Sequence, residues 1–152
     1  SNLYYVNPIT AQATVVGAVG SYWYGDLSGL AFDPNGNLYT LDTENGRVVR
    51  IDKNSGAILE EITLSGSFVS GLGGAGMDFH PVTGELYIAD GDLDASYAKY
   101  LHRVDLATGV ATQVGQLSVD EGLFGLTFQL PEPASGMMLV TLTLATGALR
   151  RR

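Results

Sequence analysis

The sequence predicts an all-β fold built from repeated units of four short strands. Residues 30–39, LAFDPNGNLY, match residues 77–87, MDFHPVTGELY, with one residue inserted in the turn. A second motif follows each copy, VRIDKNSG at 49–56 and HRVDLATG at 102–109. Residues 1–130 show no sustained helical period of apolar residues, so the repeats indicate strands joined by turns.

The first unit divides into strands and turns in order. Pro34 and Gly36 suit the central positions of a turn that ends strand one, and Asn45-Gly46 is a hairpin signal after strand two. Strand three alternates apolar and polar side chains before the turn at 53–56. The predicted strands are Gly29–Phe32, Asn37–Asp42, Arg47–Asp52 and Ala57–Leu64.

Partial units flank the two complete ones. The chain opens with segments of the third and fourth type, Leu3–Asn7 and Ala13–Val19, and residues 123–129 repeat the first type. Four strands in about 40–50 residues is the length of a β-propeller blade. We therefore expect β-propeller blades over residues 1–129, about two full blades plus partial ones, which form an incomplete propeller. A β-sandwich with an accidental repeat is the alternative.

The repeated pattern, Asp-Pro-x-Gly-x-Leu-Tyr followed by Val-Asp-x-x-Thr-Gly, resembles NHL-repeat and gluconolactonase-like propellers. The resemblance covers most of residues 3–128. It implies a propeller fold and, in the gluconolactonase-like case, a metal-dependent hydrolase or lactonase. Such an enzyme needs acidic and amide side chains around a divalent ion in the central channel. Asp42, Asp90 and Asp92 are the candidates, but two blades and fragments cannot supply a full ring of ligands.

Residues 130–152 differ abruptly from the rest and form a predicted second region. Pro131, Glu132 and Pro133 precede an uncharged stretch at 134–149, and the sequence continues with three arginines, Arg150, Arg151 and Arg152. These parts, in this order, resemble a PEP-CTERM sorting signal. The resemblance implies export, transient anchoring in the inner membrane, and recognition by an exosortase in an exopolysaccharide-producing Gram-negative bacterium.

Physical arguments agree with a membrane-directed tail. The two prolines mark a boundary that neither a strand nor a helix crosses. A helix over residues 134–149 would be about 24 Å long, short of a hydrocarbon core of about 30 Å. Snorkelling arginines and local thinning can make up that difference, and the arginine cluster stays cytoplasmic. A buried core helix and a plain tail anchor are the alternatives.

The charge distribution limits the partners of the exported part. Residues 1–130 contain 15 acidic and 5 basic side chains, whereas the tail is net positive. An acidic surface repels phosphate backbones, so nucleic acid is not an expected partner. The chain has no cysteine, which excludes disulfides and thiolate metal sites.

An acidic stretch follows strand two of the second unit. Asp90, Asp92 and Asp94 alternate as the first ligands of a calcium loop do, which suggests a Ca²⁺ site. The EF-hand pattern fails afterwards, because Ala95 replaces its glycine and Leu101 its bidentate glutamate. A solvated acidic loop is the alternative interpretation.

Aromatic residues and histidines are the remaining candidates. Tyr22, Trp23 and Tyr24 lie in a connection before the first blade, where exposed rings can stack on sugars or anchor a partner. A hydrophobic lid is the alternative. His80 takes the turn position of Asp33, which indicates a structural role, and His102 takes the strand position of Val49.

These observations favour a non-enzymatic, exported binding or structural module over a lactonase. Exosortase is the expected sorting partner, and exopolysaccharide or other surface proteins are the expected binding partners. Because one copy holds too few strands to close a propeller of 4–8 blades, the chain is expected to be a fragment of a longer product, an open fan of blades, or a homodimer. The fragment and the homodimer are favoured over a stable monomer.

Overall fold

The structure, a computed structural model, describes residues 1–20, 27–68, 75–90, 98–119 and 123–129. These residues contain strands and turns but no helix, which confirms the predicted all-β class. The helix predicted for residues 134–149 lies outside them. The strands are β1 Asn2–Val6, β2 Ala13–Ala18, β3 Leu27–Phe32, β4 Leu38–Asp42, β5 Arg47–Ile51, β6 Ile58–Thr63, β7 Ser65–Gly66, β8 Gly76–Phe79, β9 Leu86–Ala89, β10 Tyr100–Asp105 and β11 Val110–Gln116.

The strands form two blades and a hairpin. Strands β3 to β6 pair in chain order as an antiparallel sheet, the first blade. Strands β8 to β11 pair in the same order as the second blade, and β1 and β2 form the opening hairpin. The predicted blades and their strand order are confirmed, because each strand is specified by local alternation and each turn by local Gly, Asn and Asp signals.

The second blade has a fifth strand that the repeat does not predict. Ser65–Gly66 forms β7, which pairs in parallel with the start of β11. The Ser65 amide donates to Gly109 O at 3.0 Å and the Ser67 amide to Ala111 O at 3.0 Å. The link between the blades therefore also joins the end of the first blade to the outer strand of the second.

Side chains at the turns replace missing backbone hydrogen bonds. Asp33 Oδ1 accepts from the amides of Asn35 and Asn37 at 2.9 and 2.8 Å. His80 holds the equivalent turn in the second blade, where its Nδ1 accepts from the amide of Thr83 at 3.1 Å. That nitrogen carries no proton in this arrangement, so the structure gives His80 the structural role that the sequence indicates.

An apolar core lies between the two blades. Eleven buried residues contributed by both sheets form it, among them Leu41, Val48, Met77 and Ile88. The ring of Tyr39 in the first blade lies 5.2 Å from the ring of Phe79 in the second. The blades therefore pack face to face through apolar and aromatic side chains.

Residues 123–129 begin a third unit alongside β8. Leu123 O accepts from the Gly76 amide at 2.8 Å, and the Phe128 amide donates to Asp78 Oδ2 at 2.9 Å. The ring of Phe128 lies 5.1 Å from that of Tyr87, which repeats the aromatic contact between the first two blades. No strand is formed at residues 123–129, so the strand predicted at Leu123–Gln129 is not confirmed, although two hydrogen bonds place this segment beside β8.

Candidate functional site

One end of each blade holds the acidic residues singled out in the sequence. Neighbouring strands are antiparallel, so strand two ends and strand three begins at the same edge of the sheet. We call this edge the loop end. It carries Asp42, the last residue of β4, and Asp90, which follows β9 directly. Both carboxylates are buried, and the repeat makes them equivalent.

The Asp42 carboxylate is held by an ion pair and a turn. Arg47 Nη2 donates to Asp42 Oδ2 at 2.7 Å, and Arg47 Nη1 donates to Glu61 Oε2 at 2.6 Å. The Asn45 amide donates to Asp42 Oδ1 at 3.0 Å, and the Asn45 side chain donates to both carboxylate oxygens. The Asn-Gly hairpin predicted from the sequence thus closes on a buried carboxylate.

Opposing effects set the pKa of Asp42. Burial raises the pKa of this carboxyl, but the hydrogen bonds from Arg47 and Asn45 and the charge of Arg47 outweigh burial and hold it below the usual value. The carboxylate is therefore ionised at neutral pH, and its oxygens are occupied by internal donors. Asp42 stabilises the loop end rather than presenting a free ligand.

Asp90 holds the corresponding position in the second blade with different partners. Its Oδ2 accepts from the Tyr100 amide at 2.9 Å, and its Oδ1 lies 3.2 Å from His102 Nε2. Its backbone also bridges neighbouring segments, since Asp90 O accepts from the Leu123 amide at 3.1 Å. Asp90 therefore joins β9, β10 and the start of the third unit.

His102 links Asp90 to the connection between the blades. It is 2% exposed, and it fills the core position that Val49 holds in the first blade. Its Nδ1 lies 3.0 Å from Ser67 Oγ, which also donates to Ala111 O at 3.0 Å. The rings of Phe68 and His102 form a T-shaped contact, with ring centroids 5.9 Å apart. Ser67, His102 and Asp90 thus lie in a row of buried or half-buried polar groups, here called the polar chain, in which His102 Nε2 approaches Asp90 Oδ1 without forming a hydrogen bond.

The polar chain contains the side-chain types of a serine hydrolase but not their arrangement. A nucleophilic serine needs its hydroxyl directed to an imidazole that accepts the proton, beside a space for substrate. Here the Ser67 hydroxyl donates its hydrogen bond to the Ala111 carbonyl, and the imidazole is buried. This geometry ties β7 and β11 to β9 and β10, so it crosslinks the second blade.

The predicted calcium ligands are only partly described. Asp90 is described, and both its oxygens face protein groups, whereas Asp92 and Asp94 lie outside the described residues. Within the described ranges, no three His, Asp or Glu side chains are grouped as a metal site requires. The Ca²⁺ site therefore stays a prediction that rests on the sequence.

Two further predicted sites fall outside the described residues. The aromatic segment, Tyr22, Trp23 and Tyr24, lies between the described ranges 1–20 and 27–68. Of the two strands that flank this segment in the sequence, β2 ends at the loop end and β3 begins there. The sorting signal, Pro131 to Pro133 and Arg150 to Arg152, lies beyond residue 129. Over the part of the chain that the structure describes, no helix has the length and apolar character for a membrane span.

Sequence reasoning missed the polar chain. Ser67 and His102 are 35 residues apart, and neither belongs to a recognised motif. The one available signal was an ionisable histidine at a repeat position where the first blade has a buried valine. A polar residue in such a core position requires a partner, so the substitution itself predicts a buried polar contact.

Comparisons with known proteins support the fold. The NHL repeat family matches residues 25–51, which contain β3, β4 and β5. No curated protein sequence matches the chain. The crystal structure of a nidogen/laminin complex is similar at a TM-score of 0.56 and 20% identity, covering 84% of this chain and 44% of that chain. A protein of unknown function from Bacteroides thetaiotaomicron VPI-5482 is similar at a TM-score of 0.49 and 21% identity, covering 66% and 24%.

These matches are partial and of low identity, so they support the fold of this chain and not its function. This chain spans less than half the length of either solved chain, and a likeness at 20% identity shows the fold alone. The NHL match covers three of the four strands of the first blade. Together with the repeated sheets and inter-blade contacts, the comparisons support an NHL-repeat β-propeller.

Proposed function

We propose that the chain is a non-enzymatic propeller module that binds partners or builds structure at the bacterial cell surface or in the extracellular matrix. The observation that carries this proposal is the state of the two loop-end carboxylates. Asp42 and Asp90, which a metal-dependent lactonase would direct toward an ion, are buried. Asp42 pairs with Arg47, and Asp90 Oδ2 accepts from the Tyr100 amide. Carboxylates held by internal donors fix the loops beside them, and loops on a rigid scaffold are where binding residues are most often found.

Export and sorting form the second part of the proposal. The order of Pro131 to Pro133, an uncharged stretch and Arg150 to Arg152 supports processing by an exosortase. Before processing, the tail holds the module at the inner membrane with the arginines on the cytoplasmic side. After processing, the module is released to the envelope or the matrix.

Processing can be tested directly by expression in a host with an exosortase and in the same host without it. Mass spectrometry of the exported protein should find a chain shortened near residues 131–135 in the first host only. A variant with Pro131→Ala and Pro133→Ala should escape processing. Secreted, soluble protein that retains Arg152 in the first host would contradict the sorting proposal.

The proposed ligand class is a neutral glycan, such as a segment of exopolysaccharide, or another surface protein. The net negative charge opposes polyanions, and the aromatic residues of the sequence between β2 and β3 are of the type that stacks on sugars. Trp23 is the single tryptophan of the chain, so its fluorescence reports on that segment alone. Neutral oligosaccharides should change this emission, and Tyr24→Ala should weaken the response, whereas Tyr4→Ala on β1 should not.

Assays of lactone hydrolysis and of bound metal on the same protein preparation distinguish a binding module from an enzyme. A lactonase would hydrolyse lactones and carry a stoichiometric divalent ion, whereas the proposed module would do neither. Lactone hydrolysis that depends on Asp42 or Asp90 would overturn the non-enzymatic proposal. An absence of glycan binding with intact sorting would leave the structural role in place.

A further inference from the structure

The two blades differ at the turn end, the edge of each sheet opposite the loop end. Two turns lie side by side there, one between the first and second strands and one between the third and fourth. In the first blade the Lys53 side chain spans these turns, and its Nζ donates to Gly36 O at 3.0 Å. The first blade therefore holds an ammonium group between its own turns.

The second blade lacks this ammonium group. The repeat places Leu106 where the first blade has Lys53, and Leu106 packs against the core between the blades. Gly84 corresponds to Gly36, and the two glycines share a left-handed φ, +71° and +78°. Among the described residues, no donor is bonded to Gly84 O. The carbonyl that accepts an ammonium in the first blade is thus left without one in the second.

A cavity of about 430 Å³ lies between the turns of the second blade, here called the turn cleft. Two buried apolar side chains form its base and more exposed polar ones surround them: Leu86 and Val104, then Thr83, Glu85, Arg103 and Asp105. All of these residues belong to the second blade. The turn cleft therefore depends on no neighbouring blade and on neither end of the sequence.

The turn cleft carries a net negative charge. Arg103 Nη1 donates to Glu85 Oε1 at 3.1 Å, so these two charges balance each other. Asp105 forms no ion pair with any of the described residues. The Thr108 hydroxyl and the Ala107 amide each donate to this carboxylate at 2.9 Å, which lowers the pKa of Asp105 and keeps it ionised at neutral pH. A positively charged donor therefore suits the turn cleft.

An alkyl ammonium fits the turn cleft better than a metal ion or a guanidinium does. A hard cation needs several oxygen ligands, and the described residues contain no such group of carboxylates. A guanidinium needs both oxygens of a carboxylate for its fork, and both oxygens of Asp105 already accept internal donors. The apolar base suits the aliphatic stem of a lysine, which is the side chain that spans the first blade.

We propose that the turn cleft binds the side chain of a lysine presented by a partner protein, with its ammonium group at Gly84 O and Asp105. The partner's lysine then spans the turns of the second blade as Lys53 spans those of the first. This inference rests on the proposed function for its partner, another surface protein, and it places that contact at the turn end. It is independent of the sorting tail and of any glycan.

The probe is Nα-acetyl-lysine methylamide, titrated into the full chain and followed by amide NMR shifts. We expect saturable shifts at residues 83–85 and 103–107. The affinity should be millimolar, because one ammonium group at an exposed site contributes little free energy. Acetylation of the probe at Nε removes its charge and should abolish the shifts.

Matched variants locate the bound ammonium. Asp105→Asn keeps an acceptor for the Ala107 amide but removes the charge, and it should weaken binding of the probe about threefold or more. Asp52→Asn changes the equivalent carboxylate of the first blade, where Lys53 is present, and should leave the affinity unchanged. Leu106→Lys supplies the turn cleft with its own ammonium and should abolish binding, whereas Leu106→Met, which conserves volume, should not. Thermal melts establish that each variant is folded.

Three results would overturn the proposal. One is a full chain whose amides at 83–85 and 103–107 do not respond to the lysine probe. Another is equal affinity of Asp105→Asn and Asp52→Asn for the probe, or of the parent for the probe and its Nε-acetylated form. The third is tighter binding of glucosamine than of the lysine probe in the turn cleft, because the partner would then be an amino sugar. None of these results changes the outcome of the tests on sorting or on the aromatic segment, so failure here is distinct from failure of the proposed function.

Discussion

His102 Nε2 lies 3.2 Å from Asp90 Oδ1, in the core position that the first blade fills with Val49. The second blade thus has an imidazole where the first has a valine, and the carboxylate that pairs with arginine in the first blade lies beside histidine in the second. The polar chain explains how a histidine is accommodated in this core position, since both of its ring nitrogens face polar atoms. It also makes the second blade sensitive to loss of a single partner.

Replacing His102 with valine should destabilise the fold although valine suits the position in the first blade. The change leaves the buried Asp90 carboxylate and the Ser67 hydroxyl without the imidazole, which costs about 1–3 kcal/mol of unfolding free energy. Urea unfolding of the parent and the variant measures this loss of unfolding free energy. Arg103→Val, at the next, more exposed position, is the control and should change the free energy by less than about 0.5 kcal/mol. An unchanged His102→Val protein would contradict the polar chain.

The equivalent phenylalanines should respond differently to the same substitution. Phe79→Leu loosens the buried contact with Tyr39 and should cost about 1–2 kcal/mol of unfolding free energy. Phe32→Leu, at an exposed position, should cost less than about 0.5 kcal/mol. Thermal melts of the two single variants measure the difference. Equal losses would mean that the first blade is covered in solution.

The sequence predicted most strands to within two residues, because alternation and turn chemistry are local properties. It failed where pairing is non-local. Ser65–Gly66 is too short for a strand pattern, and its parallel partner β11 lies in the next blade. Ser67 and His102 meet only after both blades have formed. The repeat alignment located Asp42 and Asp90, but their burial and their different partners required the structure.

Acid should destabilise the protein through three aspartates with lowered pKa values. Burial raises the pKa of Asp42 and of Asp33, but hydrogen bonds from Arg47 to Asp42 and from Asn37 to Asp33 contribute to a larger, opposite effect, so both pKa values are lowered. The pKa of Asp105 is lowered mainly by the hydrogen bond from the Thr108 hydroxyl. A folded pKa below the unfolded value of about 3.9 stabilises the fold above that pH, and the contribution is lost as pH falls through the folded pKa.

Urea midpoints measured from pH 7 to pH 2 should therefore fall below about pH 4. Asp42→Asn should be less stable at neutral pH, because it loses the ion pair with Arg47, and its midpoint should fall less on acidification. Asp52→Asn, which changes a carboxylate in an exposed turn, is the control variant. A parent protein with a flat profile down to pH 2 would exclude this origin of stability.

Gly109 should tolerate no side chain, because it combines two constraints. Its φ is +73°, and a Cβ there would lie 2.2 Å from Thr63 O of the neighbouring blade. Gly109→Ala should cost more than about 1 kcal/mol of unfolding free energy. Gly115→Ala is the matched control, because a Cβ at that position meets nothing within 4 Å. Equal melting temperatures for the two variants would show that the blades do not approach as closely as the structure has them.

Calcium separates two roles for the acidic segment that starts at Asp90. If Asp90, Asp92 and Asp94 bind the ion, millimolar Ca²⁺ should raise the melting temperature by mass action, and Asp92→Ala should abolish the rise. Asp90→Asn should lower the melting temperature even without calcium, because Asp90 already holds the Tyr100 amide and faces His102. Melts with calcium and with chelator measure both effects. If the parent protein melts at the same temperature in both buffers, the predicted calcium site is wrong. If Asp90→Asn is destabilised in the same experiment, the role of Asp90 is structural alone.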